Sequence, residues 1–277
     1  MIVNESKTEL YEIGLDKLIE INAAPFGDPL DYKELNNRIN NAIHTKYRKI
    51  VLNNVCGQRF IGVALQGDIE ITINGIPGND LGIFMDGPKI KVNGNCEDQS
   101  GNTMNRGTII IDGDGGDVLG LSSRGGKLYI KGDVGYRVGI HMKEYENQFP
   151  VIVIGGTAQD FLGEYMAGGK IIVLGLKILQ DGGIIDNPQS ICGTELGTGI
   201  HRGSIYLRTE ENIEDRLGIG AKLAELSEEE NKEIYQYIVE FCKIFNIPLD
   251  FVLNKSFKVI KPISKRPFGG NYCKHLV

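Results

Sequence analysis

The segment GNCEDQSGNTMNRGTIIIDGDGGDVLGLSSRGGKLYIKGDVGYRVG, residues 94–139, decides the fold of this chain. It contains three pairs of glycines whose members lie seven residues apart, and each pair begins nineteen residues after the one before. A fixed period of this length is typical of a solenoid, in which one small unit is stacked repeatedly. The pairs along the chain are Gly75 with Gly82, Gly94 with Gly101, Gly113 with Gly120, Gly132 with Gly139, and, less regularly spaced, Gly155 with Gly163 and Gly175 with Gly197.

The apolar residues follow the same period. Two columns precede each first glycine, by four and by two residues, and alternate with mostly polar neighbours, which predicts a short strand with one buried face. A third inward column lies three residues after each second glycine, and the residue after it is usually polar. The columns are Ile71, Ile90, Ile109, Leu128, Val151 and Ile171; Ile73, Val92, Ile111, Ile130, Val153 and Val173; Leu65, Met85, Met104, Ser123, Met142, Met166 and Ile200; and the polar residues Gln66, Asp86, Asn105, Arg124 and Lys143.

These patterns predict an all-β solenoid of the single-stranded parallel β-helix type. Two strands and two glycine corners fill a nineteen-residue unit, so no helix fits into it, and the ankyrin, TPR and HEAT repeats are excluded. The spaced leucines and asparagine of a leucine-rich repeat are absent as well. We expect about seven coils between Ile50 and Arg208.

A helix is predicted on each side of the coils. Residues 31–47 carry Leu35, Ile39 and Ile43 at helical spacing behind a capping aspartate. After the coils, Ser227 and Glu230 form a capping box at the start of a second helix. Its apolar stripe consists of Ile234, Ile238, Phe241 and Phe245. We expect both helices to cover the open ends of the rod, where exposed strand edges invite aggregation.

The chain therefore divides into three parts. Residues 1–48 form an N-terminal segment with a capping helix, residues 49–208 the β-helix, and residues 209–277 a C-terminal helix with an irregular tail. That tail, residues 251–277, contains two prolines and two adjacent glycines, and we expect it to act as a strap on this chain or on a partner.

Composition limits the partners and the compartment. The formal charge of −6 and the absence of a basic stripe argue against nucleic-acid binding. The polar residues 1–10 do not resemble a secretory signal, and no apolar run reaches the ~18 residues of a membrane span. We expect a cytoplasmic protein that does not bind membranes.

The five cysteines, an odd number, lie at scattered spacings without a C-x-x-C pair. This pattern favours reduced, structural thiols over a disulfide framework, a zinc ribbon or an iron–sulfur cluster. Their positions are Cys56, Cys96, Cys192, Cys242 and Cys273.

An acidic cluster is one candidate site for chemistry. Asp112, Asp114 and Asp117 lie in the run DGDGGDVLG, which superficially resembles a calcium loop. The equivalent turns of the neighbouring coils read NGNCED and KGDVGY, so the acids do not recur as a calcium-binding β-roll requires. We predict no metal site. Asp160 and Glu164, near a later corner, are interpreted as surface or capping residues.

A serine and a histidine form a second candidate. Ser122 and His141 occupy the same column, so adjacent coils place them side by side, and histidine can activate a serine nucleophile. The surrounding GLSSRGG is not the G-x-S-x-G elbow of the hydrolases. The column otherwise holds Ala64, Phe84, Thr103 and Tyr165, as a structural position would.

The coil sequences also resemble a known family. GNTMNRGTIIIDGDGGDVLG (101–120), GYRVGIHMKEY (135–145) and GGTAQDFLGEYMAGGKIIVLG (155–175) are similar to the GXGXG domain of the glutamate synthase large subunit. The same domain occurs in one of the subunits of formylmethanofuran dehydrogenase. The resemblance spans roughly residues 35–208. It implies a right-handed β-helix that holds catalytic domains together, without catalytic, cofactor-binding or metal-binding residues of its own.

By this resemblance the chain is a free-standing, non-catalytic scaffold subunit of a split glutamate synthase-like complex. Its partners would be separately encoded glutaminase and FMN/iron–sulfur subunits, or further copies of itself. Met1 and Ile2 stand where an amidotransferase has its nucleophilic cysteine, and 277 residues leave no room for a flavin barrel. Three alternatives stay open: a scaffold in a formylmethanofuran dehydrogenase-like assembly, an ester hydrolase using Ser122 and His141, and a carbohydrate- or small-ligand-binding solenoid.

Two insertions lengthen the repeat. One gives a charged loop over residues 143–150, and the other extends the spacing between Gly175 and Gly197 to twenty-two residues. Insertions in a solenoid leave the stack as loops, often on the binding face. We expect residues 176–196 either to contact a catalytic partner or another copy, or to fold back and cover the coil end.

Overall fold

Each repeat contributes one strand to the same sheet. The computed structural model describes residues 17–179 and 181–264. The strands in this part of the chain are β1 Leu18–Asn22, β2 Lys49–Cys56, β3 Glu70–Ile76, β4 Asp86–Asn93, β5 Arg106–Ile111, β6 Lys127–Ile130, β7 Val151–Ile154, β8 Ala167–Val173, β9 Leu176–Ile178, β10 Ile184–Asp186, β11 Arg202–Arg208, β12 Ala221–Ala224 and β13 Phe257–Pro262. The α-helices are α1 Tyr32–His44, α2 Glu228–Phe245 and α3 Leu249–Leu253.

The sheet confirms the predicted all-β solenoid. Strands β1 to β8 and then β11 pair in parallel, each with the next along the chain. The stack makes about six turns, slightly fewer than the seven that the spacing predicted. The passage from β8 to β11 is not a plain corner, because it contains the antiparallel hairpin of β9 and β10.

The interior holds the predicted columns. The strand residues Ile71, Ile90 and Ile109 are buried one above the other, and the methionine column, for example Met85 and Met142, is buried opposite them. One apolar cluster runs from helix α1 to strand β13. Full burial of each such side chain stabilises the fold by roughly 1.5–3 kcal/mol, so the stack is held mainly by its interior.

The predicted register is wrong at one strand. The spacing from Gly155 predicts that Val151 and Val153 belong to the inward columns. In the structure, Ile152 pairs with Leu128 and faces the interior instead. The valines lie on the outer face of the sheet. They are buried there in a second apolar cluster, so both faces of β7 are apolar and the alternation that marks register is lost.

Helix α2 lies on the outer face of the sheet rather than over the end of the rod. Its buried residues Ile234, Ile238 and Phe241 pack with Tyr129 and Tyr206, which point outward from β6 and β11. Two ion pairs, Lys127 with Glu240 at 2.6 Å and Lys170 with Glu233 at 3.1 Å, hold the same helix to the sheet. The capping box of Ser227 and Glu230 is present as predicted.

The two ends of the stack are closed differently. At the N-terminal end, α1 buries Leu35, Ile39 and Ala42 against the first strands, with Asp31 as its cap. At the other end, β13 pairs antiparallel with β11, and β12 pairs with β13. The tail is therefore not irregular over Phe257–Pro262, because that segment satisfies the backbone groups of β11. Helix α3 covers the start of the predicted strap, and residues 265–277 lie outside the described residues.

Candidate functional site: a basic pocket on the solenoid surface

The acidic cluster bonds one coil to the next. Asp114 Oδ1 accepts a hydrogen bond from the backbone N–H of Asp133 at 2.9 Å, and Asp117 Oδ1 accepts one from Tyr136 at 2.8 Å. Asp112 pairs with Lys131 at 2.7 Å. These carboxylates therefore have separate structural partners. Within residues 17–179 and 181–264, no group of three or more His, Cys, Asp and Glu side chains is placed to share a metal ion.

Neighbouring coils form the same side-chain-to-backbone hydrogen bond with other residues. Asn95 Oδ1 accepts from the N–H of Asp114, and Asp133 Oδ1 accepts from the N–H of Thr157. Asp160, interpreted from sequence as a surface or capping residue, accepts from the N–H of Thr194 at 2.7 Å. Asparagine and aspartate supply equivalent acceptor oxygens, so a count of recurring acids misses this ladder.

The column of Ser122 and His141 forms a corner of the stack. Ser122 and His141 both have left-handed backbone conformations, with φ of 53° and 54°, and Tyr165 follows with φ of 50°. The N–H of Ser122 donates to the carbonyl of Ile140 in the next coil at 2.9 Å. The shared conformation shows that the repeat imposes this geometry, so it is not special to these three residues.

A surface pocket of about 450 Å³ opens at this corner. It spans successive coils and combines two cationic side chains with two imidazoles, a serine hydroxyl and an exposed phenol. Its lining residues are Ser122, Arg124, His141, Lys143, Tyr165, Ala167 and His201. No acidic side chain lines it, so the pocket is basic.

The rings in the pocket stack on each other. The imidazole of His141 and the ring of Tyr165 lie 5.3 Å apart between centroids and are inclined by 11°. On its other side Tyr165 covers Gly199, where an added Cβ would lie 2.4 Å from the ring. The sequence placed Ser122 and His141 together, and they do line one pocket. Among the described residues no hydrogen bond joins them, and the His141 ring is engaged with Tyr165.

The acidic residues next to the pocket in sequence are bonded elsewhere. Glu144 accepts a hydrogen bond from the N–H of Gly169 at 3.0 Å. Glu164, interpreted from the sequence as a surface or capping residue, does not lie on the surface: it is 6% exposed and forms an ion pair with Arg137. Neither carboxylate therefore forms an ion pair with Arg124 or Lys143.

Three basic residues of the pocket were not recognised from the sequence as a group. Arg124 and Lys143 occupy the polar column after the methionines, and His201 follows Ile200 in the same column. Aligning the repeat identifies the column, but nothing in the alignment shows that the last coils leave a pocket between these side chains. The guanidinium Nε of Arg124 is buried and has no hydrogen-bond partner in the described part of the chain.

The long insertion folds back in part. Strands β9 (Leu176–Ile178) and β10 (Ile184–Asp186) pair as an antiparallel hairpin, and the chain rejoins the stack where Cys192 pairs with Ala158. Ile184 packs against the second apolar cluster and Ile191 is buried in the main one, whereas Ile185 is 41% exposed. The insertion therefore folds back, but onto the outer face of the sheet and into the stack rather than over the coil end.

Arg208 anchors this hairpin. Its side chain is 1% exposed and its guanidinium donates to Asp186 Oδ1 at 2.7 Å, and Lys255 pairs with the other carboxylate oxygen at 2.7 Å. Burial disfavours the charged form of Asp186, but the hydrogen bonds from Lys255 and Arg208 outweigh it and hold the pKa of Asp186 below its ordinary value.

Four cysteines lie in the described residues and all are free thiols. Cys56 is exposed, and Cys96, Cys192 and Cys242 are buried. Burial raises the pKa of each buried thiol to about 11. The fifth, Cys273, lies outside the described residues.

Comparison with known proteins identifies the family. The family model of the GXGXG motif matches residues 31–263, a stretch that reaches from α1 to β13. This chain belongs to the GXGXG family. An uncharacterized protein of Methanocaldococcus jannaschii is 54% identical over 254 residues, which cover 90% of this GXGXG chain and 95% of that protein. As for the membrane, no described helix of this GXGXG protein combines the length and the apolar character of a membrane span.

Proposed function

We propose that this chain is a non-catalytic scaffold subunit of a split glutamate synthase-like complex. In this proposal, separately encoded glutaminase and FMN/iron–sulfur subunits carry out the chemistry. This chain holds them at a fixed separation. The assembled complex would then act as an oxidoreductase of nitrogen metabolism in the cytoplasm.

The observation that carries the proposal is the GXGXG match over residues 31–263. It includes the helix and the strands that close the two ends of the stack as well as the coils. A unit of this kind is built for rigidity, because each coil bonds to its neighbours through backbone ladders and through side chains such as Asp114. Rigid solenoids usually work by presenting surface to partners.

Affinity purification from the native cells tests the proposal. A tagged copy of the chain is isolated under gentle conditions, its partners are identified by mass spectrometry, and flavin absorbance is measured on the same fraction. We expect an amidotransferase-like subunit and a flavin-bearing subunit to elute with the chain in a fixed ratio. Tagging the flavin-bearing subunit should recover this chain in return.

Two results would contradict the proposal. Recovery of the chain alone in both directions would exclude a stable complex. Recovery with the subunits of a formylmethanofuran dehydrogenase would assign the chain to that assembly instead of a glutamate synthase.

The hairpin of β9 and β10 supplies a more specific hypothesis about the interface. Ile185 and Leu179 are 41% and 36% exposed there, whereas Leu176, Ile178 and Ile184 of the same hairpin pack in the second apolar cluster. We propose that this surface contacts a catalytic partner. Ile185→Glu should weaken recovery of that partner, while Ile219→Glu, at a residue 84% exposed, serves as the matched control. Equal recovery with both variants would exclude the hairpin as the contact.

A further inference from the structure

We infer that the basic pocket around Arg124 and Lys143 is a binding site for a small oxyanion, the phosphate or carboxylate group of a metabolite. The inference is independent of the scaffold function, because it rests on the charge and shape of one corner of the solenoid. A scaffold with such a site would bind a small molecule of its own in addition to its protein partners.

The charge of the pocket is the first argument. Arg124 and Lys143 line it together with His141 and His201, and no carboxylate does. Neither cation forms an ion pair within residues 17–179 and 181–264, where the adjacent Glu144 and Glu164 are bonded to other groups. Cations that protein carboxylates do not neutralise attract anions, and a concave site concentrates that field.

A second pocket on the molecule provides the contrast. It measures about 340 Å³ and also contains two cationic residues, Arg106 and Lys127. There, however, Arg106 pairs with Asp86 at 2.5 Å and Lys127 pairs with Glu240 at 2.6 Å. Both cations of the second pocket are thus paired with carboxylates. The first pocket differs because its cations form no ion pair among the described residues.

The arrangement of donors is the next argument. Consecutive coils are spaced by about 4.8 Å, so equivalent positions bring Arg124 and Lys143 to one surface within reach of a single polyatomic anion. The guanidinium offers a planar fork suited to phosphate and carboxylate oxygens, and the ammonium adds a point charge. The hydroxyl of Ser122, in the same pocket, supplies a further donor.

The size of the pocket favours a small ligand over a peptide segment. At about 450 Å³ it lies within the ~300–1,000 Å³ range of small-molecule sites. The stacked rings of His141 and Tyr165 also line the pocket, and the non-ionic part of a metabolite can pack against them. The site therefore fits a metabolite with one anionic group and a compact body.

Isothermal titration calorimetry with inorganic phosphate and, separately, with sodium malonate tests the inference. Chloride keeps the ionic strength constant, so general screening does not contribute. We expect saturable binding of at least one of the two anions to the full-length chain. Binding of phosphate alone would assign a phosphorylated ligand, and binding of malonate alone a carboxylate ligand. Absence of saturable binding of both would overturn the inference.

A matched pair of double variants locates the site. In Arg124→Gln/Lys143→Gln we expect affinity at least about tenfold weaker, because two charge-assisted hydrogen bonds are lost. Lys89→Gln/Lys91→Gln removes the same charge from exposed residues on the outer face of β4 and should bind within about twofold of the unchanged protein. An equal loss in both variants would show general charge attraction and overturn the inference.

Folding of the variants is checked by circular dichroism. If the double variant does not fold, Lys143→Gln alone, at an exposed residue, is compared with Lys91→Gln. We expect Lys143→Gln to bind the anion more weakly than Lys91→Gln. Equal affinities would count against a site at this corner.

Discussion

The carboxylate of Asp114 accepts a hydrogen bond from the backbone N–H of Asp133, one coil further along the stack. Nineteen residues separate the two positions, so the bond repeats the period of the sequence. Asn95 makes the equivalent bond to the N–H of Asp114. The polar corners of this solenoid are thus joined by side chains as well as by the strand ladder, which explains why acids and amides replace each other in this column.

Asp114→Ala should lower the free energy of unfolding by about 1 kcal/mol, because a charge-assisted but exposed hydrogen bond is lost. Asp114→Asn should cost less, since it keeps the acceptor that Asn95 uses one coil earlier. Urea denaturation measures both. Asp68→Ala, at an exposed carboxylate without an ion pair among the described residues, is the control. Equal losses of stability in Asp114→Ala and Asp114→Asn would show that the hydrogen bond does not cause the loss.

Gly139→Ala should destabilise the protein by about 3 kcal/mol. The residue has φ of +74°, and an added Cβ would lie 2.4 Å from Cδ1 of the buried Ile171. Gly182→Ala separates backbone strain from steric overlap, because Gly182 has φ of +84° but no neighbouring atom within 4 Å of the added Cβ. That variant should lose only about 1 kcal/mol from backbone strain. Thermal unfolding would contradict the packing argument if the two variants melted together.

Stability should fall in acid, in part through Asp186. Its pKa is lowered in the folded protein, so the unfolded chain takes up a proton at higher pH than the folded one. The contribution is complete above the ordinary carboxyl pKa of about 4 and is lost as pH falls through the folded-state value.

Asp186→Asn tests this dependence. In urea denaturation from about pH 7 to pH 3, the variant should lose less stability on acidification than the unchanged protein. Asp68→Asn, which removes an exposed carboxylate elsewhere on the surface, is the control variant. A variant slope as steep as that of the unchanged protein would show that the contacts of Asp186 with Arg208 and Lys255 do not contribute.

Thiol labelling should distinguish Cys56 from the buried cysteines. The thiolate is the reactive form, and burial raises the pKa of Cys96, Cys192 and Cys242 to about 11. With Cys273 replaced by serine, Ellman's reagent near pH 7 should titrate Cys56 rapidly in the native protein, and all four remaining thiols only after denaturation. Rapid native labelling of a buried thiol would reveal local opening of the stack.

The capping residues were predictable because their signals are local. Asp31 before α1 and the capping box of Ser227 and Glu230 act through hydrogen bonds within one turn of helix. The position of α2 was not predictable in the same way. Its apolar stripe shows that one face is buried, but a strand edge and a sheet face can each provide the surface that buries it.

The pocket illustrates the same limit. The repeat predicts that Ser122 and His141 are neighbours and that Arg124 and Lys143 share a column. It does not reveal that Glu144 bonds to Gly169 and Glu164 to Arg137, so that neither carboxylate pairs with the cations of the pocket. Side-chain partners across coils depend on how each side chain turns, and spacing alone does not fix that.

The sequence by itself determined the solenoid, its period and the buried columns, because a repeat of nineteen residues with period-two strands has few ways to bury its apolar face. Tertiary structure decided the register of β7, the placement of α2 and the closing of β11 by β13. Each of these depends on a partner surface distant in sequence. Burial of Val151 and Val153 under α2 removes the polar alternation from which register is inferred.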